Sequence, residues 1–360
     1  MITLTKDQLE CKDLMIQFLK GRYKNPNHPK VFILDGFAGT GKSTLISQFL
    51  KEVGNRYAYN VLTYTGKASR VLFEKGLKGA QTIHSFLYEV ETDEFGNPEY
   101  FIKDINNSIF NIDFVIVDES SFISDKIYND LLSRCNKIIF VGDSYQLSLD
   151  RSDKLSEIDY KLDKPLRFQG VISELATSIR ESEKTPEISS FASWNDTKNY
   201  DIIICYKNVT RLNLNMGYRK YVLNKTGTIS AGEKIMFLNN SKDYFINGEP
   251  IINGLILTLD KDPLIFTKGR YTYFEYKGIY FWFGTKFLYL DEDLGWVSER
   301  YSRQDTRIFP VTYAYVITCH KAQGSEWDNV LLLTESQDPH YTYTGVTRAK
   351  NKITLCRGIK

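Results

Sequence analysis

Residues 36–44 read GFAGTGKST and match the pattern G-x-x-x-x-G-K-[ST] without a gap. The glycines would let successive backbone N–H groups turn inward around a phosphate, and a helix starting here would add its own free N–H groups. Lys42 would reach the outer phosphates, and the Ser43 hydroxyl would hold Mg²⁺. The alternative is a glycine turn before an ordinary helix. The residues expected to surround the phosphates are Gly36, Ala38, Gly39, Thr40, Gly41, Lys42, Ser43 and Thr44.

An acidic pair follows a second apolar run. Residues 114–117 read FVIV and predict a buried strand that leads directly into Asp118 and Glu119. Asp118 would hold Mg²⁺, largely through water, and Glu119 would act as the general base that polarises an attacking water. The alternative is a cluster that caps a helix, since Asp, Glu and Ser favour that position. The phosphate loop upstream favours the catalytic interpretation.

A third polar segment, GDSYQL at residues 142–147, follows the apolar run at 137–141. Gln146 could sense the γ-phosphate and relay its loss, although an ordinary turn would also use Gly-Asp-Ser. Near the N-terminus, Thr5 and Gln8 have the spacing of a helix capping box. Gln8 could instead read the edge of an adenine with its paired donor and acceptor. Spacing alone leaves both interpretations of Gln8 open.

The elements that must position these residues are short strands alternating with helices. Apolar runs at 31–35, 61–65, 114–117 and 137–141 predict a parallel α/β sheet. Residues 88–103 predict a β-hairpin, broken at 95–98, with Phe95 near its tip as either a wedge against a duplex end or an incidental loop aromatic. From about 226 to 305, glycines separate short aromatic runs, which predicts a small all-β insert. The α/β pattern returns at residue 311.

Composition limits the class of protein. The chain has 360 residues, which favours two or three domains. Hydrophobic residues make up 42 % and charged residues 25 %, and neither a membrane-spanning run nor a signal-peptide pattern is present. The five cysteines never form C-x-x-C, which argues for a reducing compartment and against a zinc site. With a net charge of only +2, binding of a nucleic acid would depend on a local groove and stacking.

Seven motifs follow one another along the chain: GFAGTGKST, TGKASR, QTIHSF, VDES, GDSYQL, TCHKAQGSEWD and GVTRAK. In this ordered series, from Gln8 to Arg348 and so over nearly the whole chain, the sequence resembles superfamily 1B DNA helicases of the RecD and phage Dda kind. This resemblance implies two RecA-like domains, a separation pin that includes Phe95, and an SH3-like β insert. The implied limits are 1–165 for the first domain, with the pin at about 86–110, 166–225 and 306–360 for the second, and 226–305 for the insert.

The resemblance also implies roles for individual residues. Gln8 would read adenine, Gly324 and Glu326 would line the ATP cleft, and two arginines of the second domain would stabilise charge in the transition state. Arg348 is one of these arginines, and Arg167 is a better match than Arg180 for the other. By themselves, the hydroxyls and cations at 65–70 suit phosphate contacts at the end of a strand, but a polar loop with the first turn of a helix is favoured. A lone histidine such as His84 is more often structural than functional. The implied DNA contacts are Thr65, Lys67, Thr82, His84, Phe95, Thr318 and His320.

The expected function is that of an ATP-dependent, Mg²⁺-dependent DNA helicase that moves 5′ to 3′ on single-stranded DNA. Two alternatives stay open: a DNA-stimulated translocase that displaces proteins without unwinding, and a nucleotide-gated binding module. The sequence does not distinguish a DNA from an RNA track. Its expected partners are single strands and duplex junctions, with replication or recombination proteins beside them and no membrane. The expected location is the cytoplasm, that of a host if the chain is phage-encoded.

Overall fold

The computed structural model describes residues 3–74, 77, 79–92, 98–148, 151–166, 170–241, 243–268, 271–283 and 308–360. The chain forms two compact units that separate between residues 177 and 178. Among the described residues, those before this point form unit 1 and those after it form unit 2. From the sequence, the first boundary is predicted after residue 165, and an insert is predicted to divide the second half. Those domain limits stay predictions.

Unit 1 contains a parallel sheet and a hairpin. Its strands are β1 (Val31–Gly36), β2 (Tyr59–Thr63), β3 (Gln81–Thr82), β4 (Tyr88–Thr92), β5 (Pro98–Ile102), β6 (Phe114–Asp118), β7 (Ile138–Gly142) and β8 (Tyr160–Leu162). Its helices are α1 (Lys6–Leu19), α2 (Lys42–Val53), α3 (Gly66–Glu74), α4 (Ile83–Leu87) and α5 (Asp125–Arg134), and α6 (Val171–Ser182) spans the boundary. The strand order β3-β2-β6-β7-β1-β8, with every pair parallel, confirms the predicted α/β sheet.

Apolar cores cover both faces of this sheet. Phe32 and Leu34 of β1 pack with helices α1 and α2, whereas Val31 and Ile33 pack with α4 and α5. Successive strand residues point to opposite faces, so a strand covered on both sides must be apolar at nearly every position. This requirement explains why β1, β6 and β7 are almost entirely buried.

Strands β4 and β5 form a hairpin, as predicted from the sequence. Its strands pair antiparallel from Tyr88 opposite Ile102 to Thr92 opposite Pro98. Several apolar side chains on it are exposed, including Val90, Tyr100 and Phe101. Phe95, the proposed tip residue, lies outside the described residues.

Unit 2 contains a second parallel sheet. The strands that follow are β9 (Ile202–Cys205), β10 (Lys234–Phe237), β11 (Phe245–Ile246), β12 (Glu249–Pro250), β13 (Ile256–Thr258), β14 (Leu264–Lys268), β15 (Tyr271–Tyr276), β16 (Ile279–Phe283), β17 (Ile308–Tyr313), β18 (Val316–Thr318), β19 (Trp327–Leu333) and β20 (Ala349–Cys356). The helices are α7 (Asn208–Gly217), which continues as a π-helix over Tyr218–Val222, α8 (Cys319–Ala322) and α9 (Pro339–Val346). The parallel sheet has the order β18-β9-β19-β20.

A second, largely antiparallel sheet of unit 2 has the order β13-β10-β17-β16-β15-β14. An all-β segment was predicted here, but β17 was assigned to the returning α/β part. It lies instead between β10 and β16, because Phe309 and Val311 are buried in the core of this sheet. That core also contains Ile203 of β9 and Leu331 of β19. The β segment therefore shares one hydrophobic core with the parallel sheet, and its likeness to an SH3 domain stays a prediction.

A buried ion pair reinforces this junction within unit 2. Arg219 Nε donates to Glu233 Oε1 at 2.6 Å, and both side chains are at most 3 % exposed. The guanidinium also lies 4.4 Å from the centre of the Tyr313 ring.

Among the helices in the described part of the chain, none is long and apolar enough to cross a membrane.

Candidate nucleotide site and nucleic-acid interface

The phosphate loop lies between β1 and α2, as predicted. Gly39 and Gly41 have φ values of +79° and +82°, a region that favours glycine. A Cβ added to Gly36 would lie 3.0 Å from Thr40 Oγ1, so the loop is tightly closed there. Lys42 begins α2, and its Nζ donates to the carbonyl oxygens of Gly36 and Phe37. The lysine ammonium therefore lies over the loop that would hold the phosphates.

Gln8 caps helix α1 and also contacts the phosphate loop. Thr5 N donates to Gln8 Oε1 at 3.0 Å, and Gln8 N donates to Thr5 Oγ1 at 3.3 Å, which confirms the capping box. The same side chain donates from Nε2 to Thr40 O at 3.0 Å. A Cβ on Gly41 would lie 2.5 Å from this Nε2. Gln8 also lines a cavity of about 140 Å³ with Leu162 and other residues of unit 1, and contact with adenine there stays a prediction.

The acidic pair occupies a turn with unusual backbone geometry. Asp118 ends β6, and Glu119 follows in the left-handed region, with φ +57° and ψ +44°. Glu119 precedes a short 3₁₀ helix, Ser120–Phe122, but its side chain makes no capping hydrogen bond to it. The capping alternative is therefore not realised by this carboxylate. A side-chain-bearing residue in this backbone region is typical of functional sites.

Gln146 lies in a buried turn after β7. Its Nε2 donates to Asp143 Oδ2 at 3.3 Å, and its backbone N donates to Asp143 O at 3.1 Å. Gln146 is only 7 % exposed, and in the described part of the chain its Oε1 has no hydrogen-bond partner. A buried acceptor without a donor is unfavourable, so Oε1 fits the contact surface of a bound group with an O–H or N–H.

Parallel pairing brings these loops to one edge of the unit 1 sheet. Asp35 is opposite Gly142, and Thr63 is opposite Asp118, so the strands end together. A Cβ on Gly142 would lie 2.3 Å from Ser120 Oγ, which means that the Gln146 turn packs directly on the acidic turn. Lys42, Ser43, Asp118, Glu119 and Gln146 therefore follow neighbouring strands. This is the edge at which ligands bind in open α/β sheets.

Four predicted DNA contacts, Thr65, Lys67, Thr82 and His84, lie at the same edge, where strands β2 and β3 end. Thr63 is opposite Thr82, and the Thr65 hydroxyl accepts from Ala68 N at 3.2 Å at the start of α3. Thr82 caps α4 by accepting from Ser85 N at 3.2 Å. Both threonines therefore have structural roles whether or not they touch a ligand. Lys67 is half-buried, and this burial lowers its pKa to about 8.

His84 lies among aromatic rings. Its ring centre is 5.9 Å from that of Tyr64, 5.6 Å from that of Tyr88 and 6.0 Å from that of Tyr100. Burial, and secondly the charge of Lys126, lower the pKa of His84, which favours a neutral imidazole. Tyr100 is 52 % exposed. Neither Tyr64 nor Tyr100 is a site residue predicted from the sequence, although the aromatic-rich runs beside residues 95–98 were a signal for Tyr100.

The predicted site residues of unit 2 lie at two ends of its parallel sheet. Thr318 ends β18 opposite Cys205, and His320 follows in α8. Burial lowers the pKa of His320, and its Nε2 has no hydrogen-bond partner among the described residues. Gly324, with φ +72°, leads through Glu326 to the start of β19.

Arg348 lies at this second end, since Trp327 N donates to Arg348 O at 2.9 Å. Its guanidinium is buried and donates to Thr344 O at 3.0 Å and Thr347 Oγ1 at 3.1 Å. These contacts orient the arginine against the end of helix α9. Arg167, the other predicted arginine of this kind, lies outside the described residues.

Comparisons with known proteins match two families along the chain. The AAA domain family matches residues 24–149, and the UvrD-like helicase C-terminal domain matches residues 313–356. An uncharacterised protein of Methanocaldococcus jannaschii is 27 % identical across 90 % of this chain and 36 % of its own length. The RecBCD enzyme subunit RecD of Buchnera aphidicola is 27 % identical across 35 % of this chain and 24 % of its own length. The chain thus spans about a third or less of the length of these two relatives.

Solved structures with the same fold include two Pif1 helicases. Pif1 from Bacteroides, bound to single-stranded DNA, has a TM-score of 0.56 and 16 % identity, and the match covers 99 % of this chain and 92 % of that one. Pif1 from Candida albicans has a TM-score of 0.55 and 15 % identity, with coverage of 99 % and 94 %. The fold and site define a phosphate-loop protein with parallel α/β sheets. The matches confirm the resemblance to superfamily 1B helicases, and none of them tests a likeness to phage Dda.

Proposed function

We propose that this chain is an ATP-dependent DNA helicase that moves along single-stranded DNA. The proposal depends above all on the convergence of Lys42, Asp118, Glu119 and Gln146 at one edge of the unit 1 sheet. A nucleotide-gated switch does not need a general base, and Glu119 is held in a strained backbone conformation that leaves its side chain out of the helix cap. The Pif1 relatives solved with single-stranded DNA and with ADP-AlF3 support the same reading.

The residues of unit 1 fit ATP and Mg²⁺. The glycine loop and the N-terminus of α2 would hold the phosphates, with Lys42 neutralising their charge. Ser43 and Asp118 would hold Mg²⁺, which is commonly bound by one or two side chains together with phosphates and water. ATP supplies the phosphoanhydride bond whose cleavage provides the free energy. Glu119 would accept the proton of the attacking water, and Gln146 Oε1 would accept a hydrogen bond from the same water.

Residues from unit 2 would complete catalysis. Arg348 would stabilise negative charge that develops on the phosphates, and Arg167 would have the same role. Gly324 and Glu326 would contribute to the nucleotide site. Replacing Arg348 with Ala should lower kcat for ATP hydrolysis by about 10³-fold or more, the range measured for such arginines. Hydrolysis unchanged in this variant would remove Arg348 from the mechanism.

The single strand would follow residues beside the nucleotide loops. In unit 1, Thr65 and Lys67 would contact phosphates, and His84 with the exposed Tyr100 ring beside it would contact bases. In unit 2, Thr318 and His320 are the other proposed contacts with the strand. With so small a net charge, affinity would come from these local contacts. The direction of movement proposed from the resemblance is 5′ to 3′, and possible partners are proteins of DNA replication or recombination.

One assay series separates the possible functions. ATP hydrolysis is measured with and without single-stranded DNA, and unwinding is then compared on duplexes with a 5′ or a 3′ single-stranded tail. The helicase proposal predicts stimulation by DNA and unwinding of the 5′-tailed duplex. Stimulation without unwinding would identify a translocase instead, and hydrolysis indifferent to DNA would refute both. Lys42→Ala, which should abolish hydrolysis and preserve the fold, is the negative control.

A further inference from the structure

Asp35 is a buried carboxylate to which neither the motifs nor the proposed mechanism gives a role. It lies at the end of β1, one residue before the phosphate loop, and is 2 % exposed. Ser144 satisfies both of its oxygens: its backbone N donates to Oδ1 at 2.7 Å, and its hydroxyl donates to Oδ2 at 2.8 Å. The pairing of β1 with β7, which puts Asp35 opposite Gly142, brings the two residues together.

Ser144 belongs to the same turn as Gln146, and this turn is internally rigid. Asp143 Oδ1 accepts from Tyr145 N at 3.0 Å, and Asp143 Oδ2 accepts from Gln146 Nε2 at 3.3 Å. Any displacement of Ser144 would therefore move the Gln146 side chain as well. The bonds to Asp35 connect this rigid turn to the residue that precedes Gly36.

Hydrogen bonds to a carboxylate are short and strong, and two from one residue define an orientation as well as a distance. The Asp35–Ser144 pair thus sets where the Gln146 turn lies relative to the strand that carries the phosphate loop. Packing of Gly142 against Ser120 positions the other side of the turn. Contacts on both sides of the turn therefore determine where the buried Oε1 of Gln146 can accept a hydrogen bond.

We propose that Asp35 and Ser144 form a positioning pair that aligns Gln146 with the phosphate loop for hydrolysis. This inference depends on the proposed function, because it requires that residues 36–44 bind ATP. Neither residue of the pair belongs to the phosphate loop, residues 36–44. The pair acts through Gln146, so it influences the chemical step rather than the binding of ATP, which is assigned to other residues.

The pair predicts a separation of kcat from KM. Ser144→Ala removes one of the two bonds and should lower kcat for DNA-stimulated hydrolysis about tenfold, while KM for ATP changes by less than about twofold, because small misplacements of catalytic groups cost rate steeply. Asp35→Ala removes both bonds and should have the larger effect. Asp35→Asn, whose amide can accept from the Ser144 N–H and donate to its hydroxyl oxygen, should recover most of the activity.

A matched control separates positioning from stability. Ser152 is also buried, and its hydroxyl donates to a carboxylate of the same unit, Asp125 Oδ1. Ser152→Ala should lower the melting temperature as much as Ser144→Ala does but leave kcat within about twofold, because only the Ser144 bond orients Gln146. In a Gln146→Ala background, Ser144→Ala should lower kcat by less than about twofold, since the residue that it positions is absent.

The outcomes are distinguishable. If the wild type is active, three results would each overturn the role of the pair but not the proposed function. These are an unchanged kcat in Ser144→Ala, an equal loss of kcat in Ser152→Ala, and losses of kcat that are additive with Gln146→Ala. A wild type without hydrolysis would refute the proposed function and the pair with it. If Asp35→Ala does not fold, Ser144→Ala and Asp35→Asn still decide the question, since each changes a side chain by one or two atoms.

Discussion

The backbone of Glu119 offers a test of the catalytic turn that does not depend on any relative. With φ +57° and ψ +44°, this residue adopts a conformation that glycine enters freely and other residues enter at a cost. Replacement by Ala or by Gly removes the same carboxylate. The two variants should therefore lose ATP hydrolysis equally and differ in stability.

The size of the difference follows from two opposing effects. A side-chain-bearing residue in the left-handed region costs about 1–2 kcal/mol, whereas glycine adds roughly 0.4–1 kcal/mol of backbone freedom to the unfolded chain. Glu119→Gly should therefore be more stable than Glu119→Ala by about 0.5–1 kcal/mol. In a unit of this size, that difference corresponds to a melting temperature higher by about 1–4 °C.

Thermal unfolding and DNA-stimulated hydrolysis of Glu119→Ala, Glu119→Gly and Glu119→Gln provide the test. Glu183 is the matched control, because it is exposed and has φ +52° in unit 2. Glu183→Gly should also be more stable than Glu183→Ala, but both should keep full activity. Hydrolysis retained by Glu119→Gln would refute the catalytic role of this carboxylate. The account of the backbone would be refuted if Glu183→Gly is more stable than Glu183→Ala but Glu119→Gly is no more stable than Glu119→Ala.

Three further outcomes are expected. Gly41→Ala should abolish ATP binding, because φ is +82° and the new Cβ would lie 2.5 Å from Gln8 Nε2. Gly54→Ala is the control: φ is +56° and the space around the new Cβ is open, so this variant should lose stability but still bind ATP. Nucleotide titration measures the binding, and thermal melts measure the stability. Affinity for single-stranded DNA should fall as pH rises from 7 to 9, because burial lowers the pKa of Lys67 to about 8 and the lysine loses its positive charge above that pH. In fluorescence titrations, Lys67→Arg should remove this dependence on pH, since arginine keeps its charge. If the exposed Tyr100 ring stacks on a base, Tyr100→Ala should weaken binding of single-stranded DNA by about 1–3 kcal/mol, and Tyr100→Phe should not. Equal affinities of Tyr100→Ala and the wild type would exclude stacking.

The sequence by itself determined the features that depend on neighbouring residues. The strand, glycine loop and helix around Lys42, the capping box at Thr5 and Gln8, and the hairpin from Tyr88 were all predictable. Each of them depends on backbone preferences and side-chain spacing within a few residues. Lys42, Asp118 and Gln146 each follow a strand that the sequence predicts, and parallel strands end at one edge of a sheet.

Only the tertiary structure decided the contacts that connect distant segments. Asp35 meets Ser144 across 109 positions and Gln8 meets Thr40 across 32, and no local pattern records either contact. The place of β17 beside β10 and β16 was likewise unpredictable. The physical reason is that a strand's own residues determine that it is extended and which side is apolar, whereas its partners depend on how the whole chain excludes water from its core.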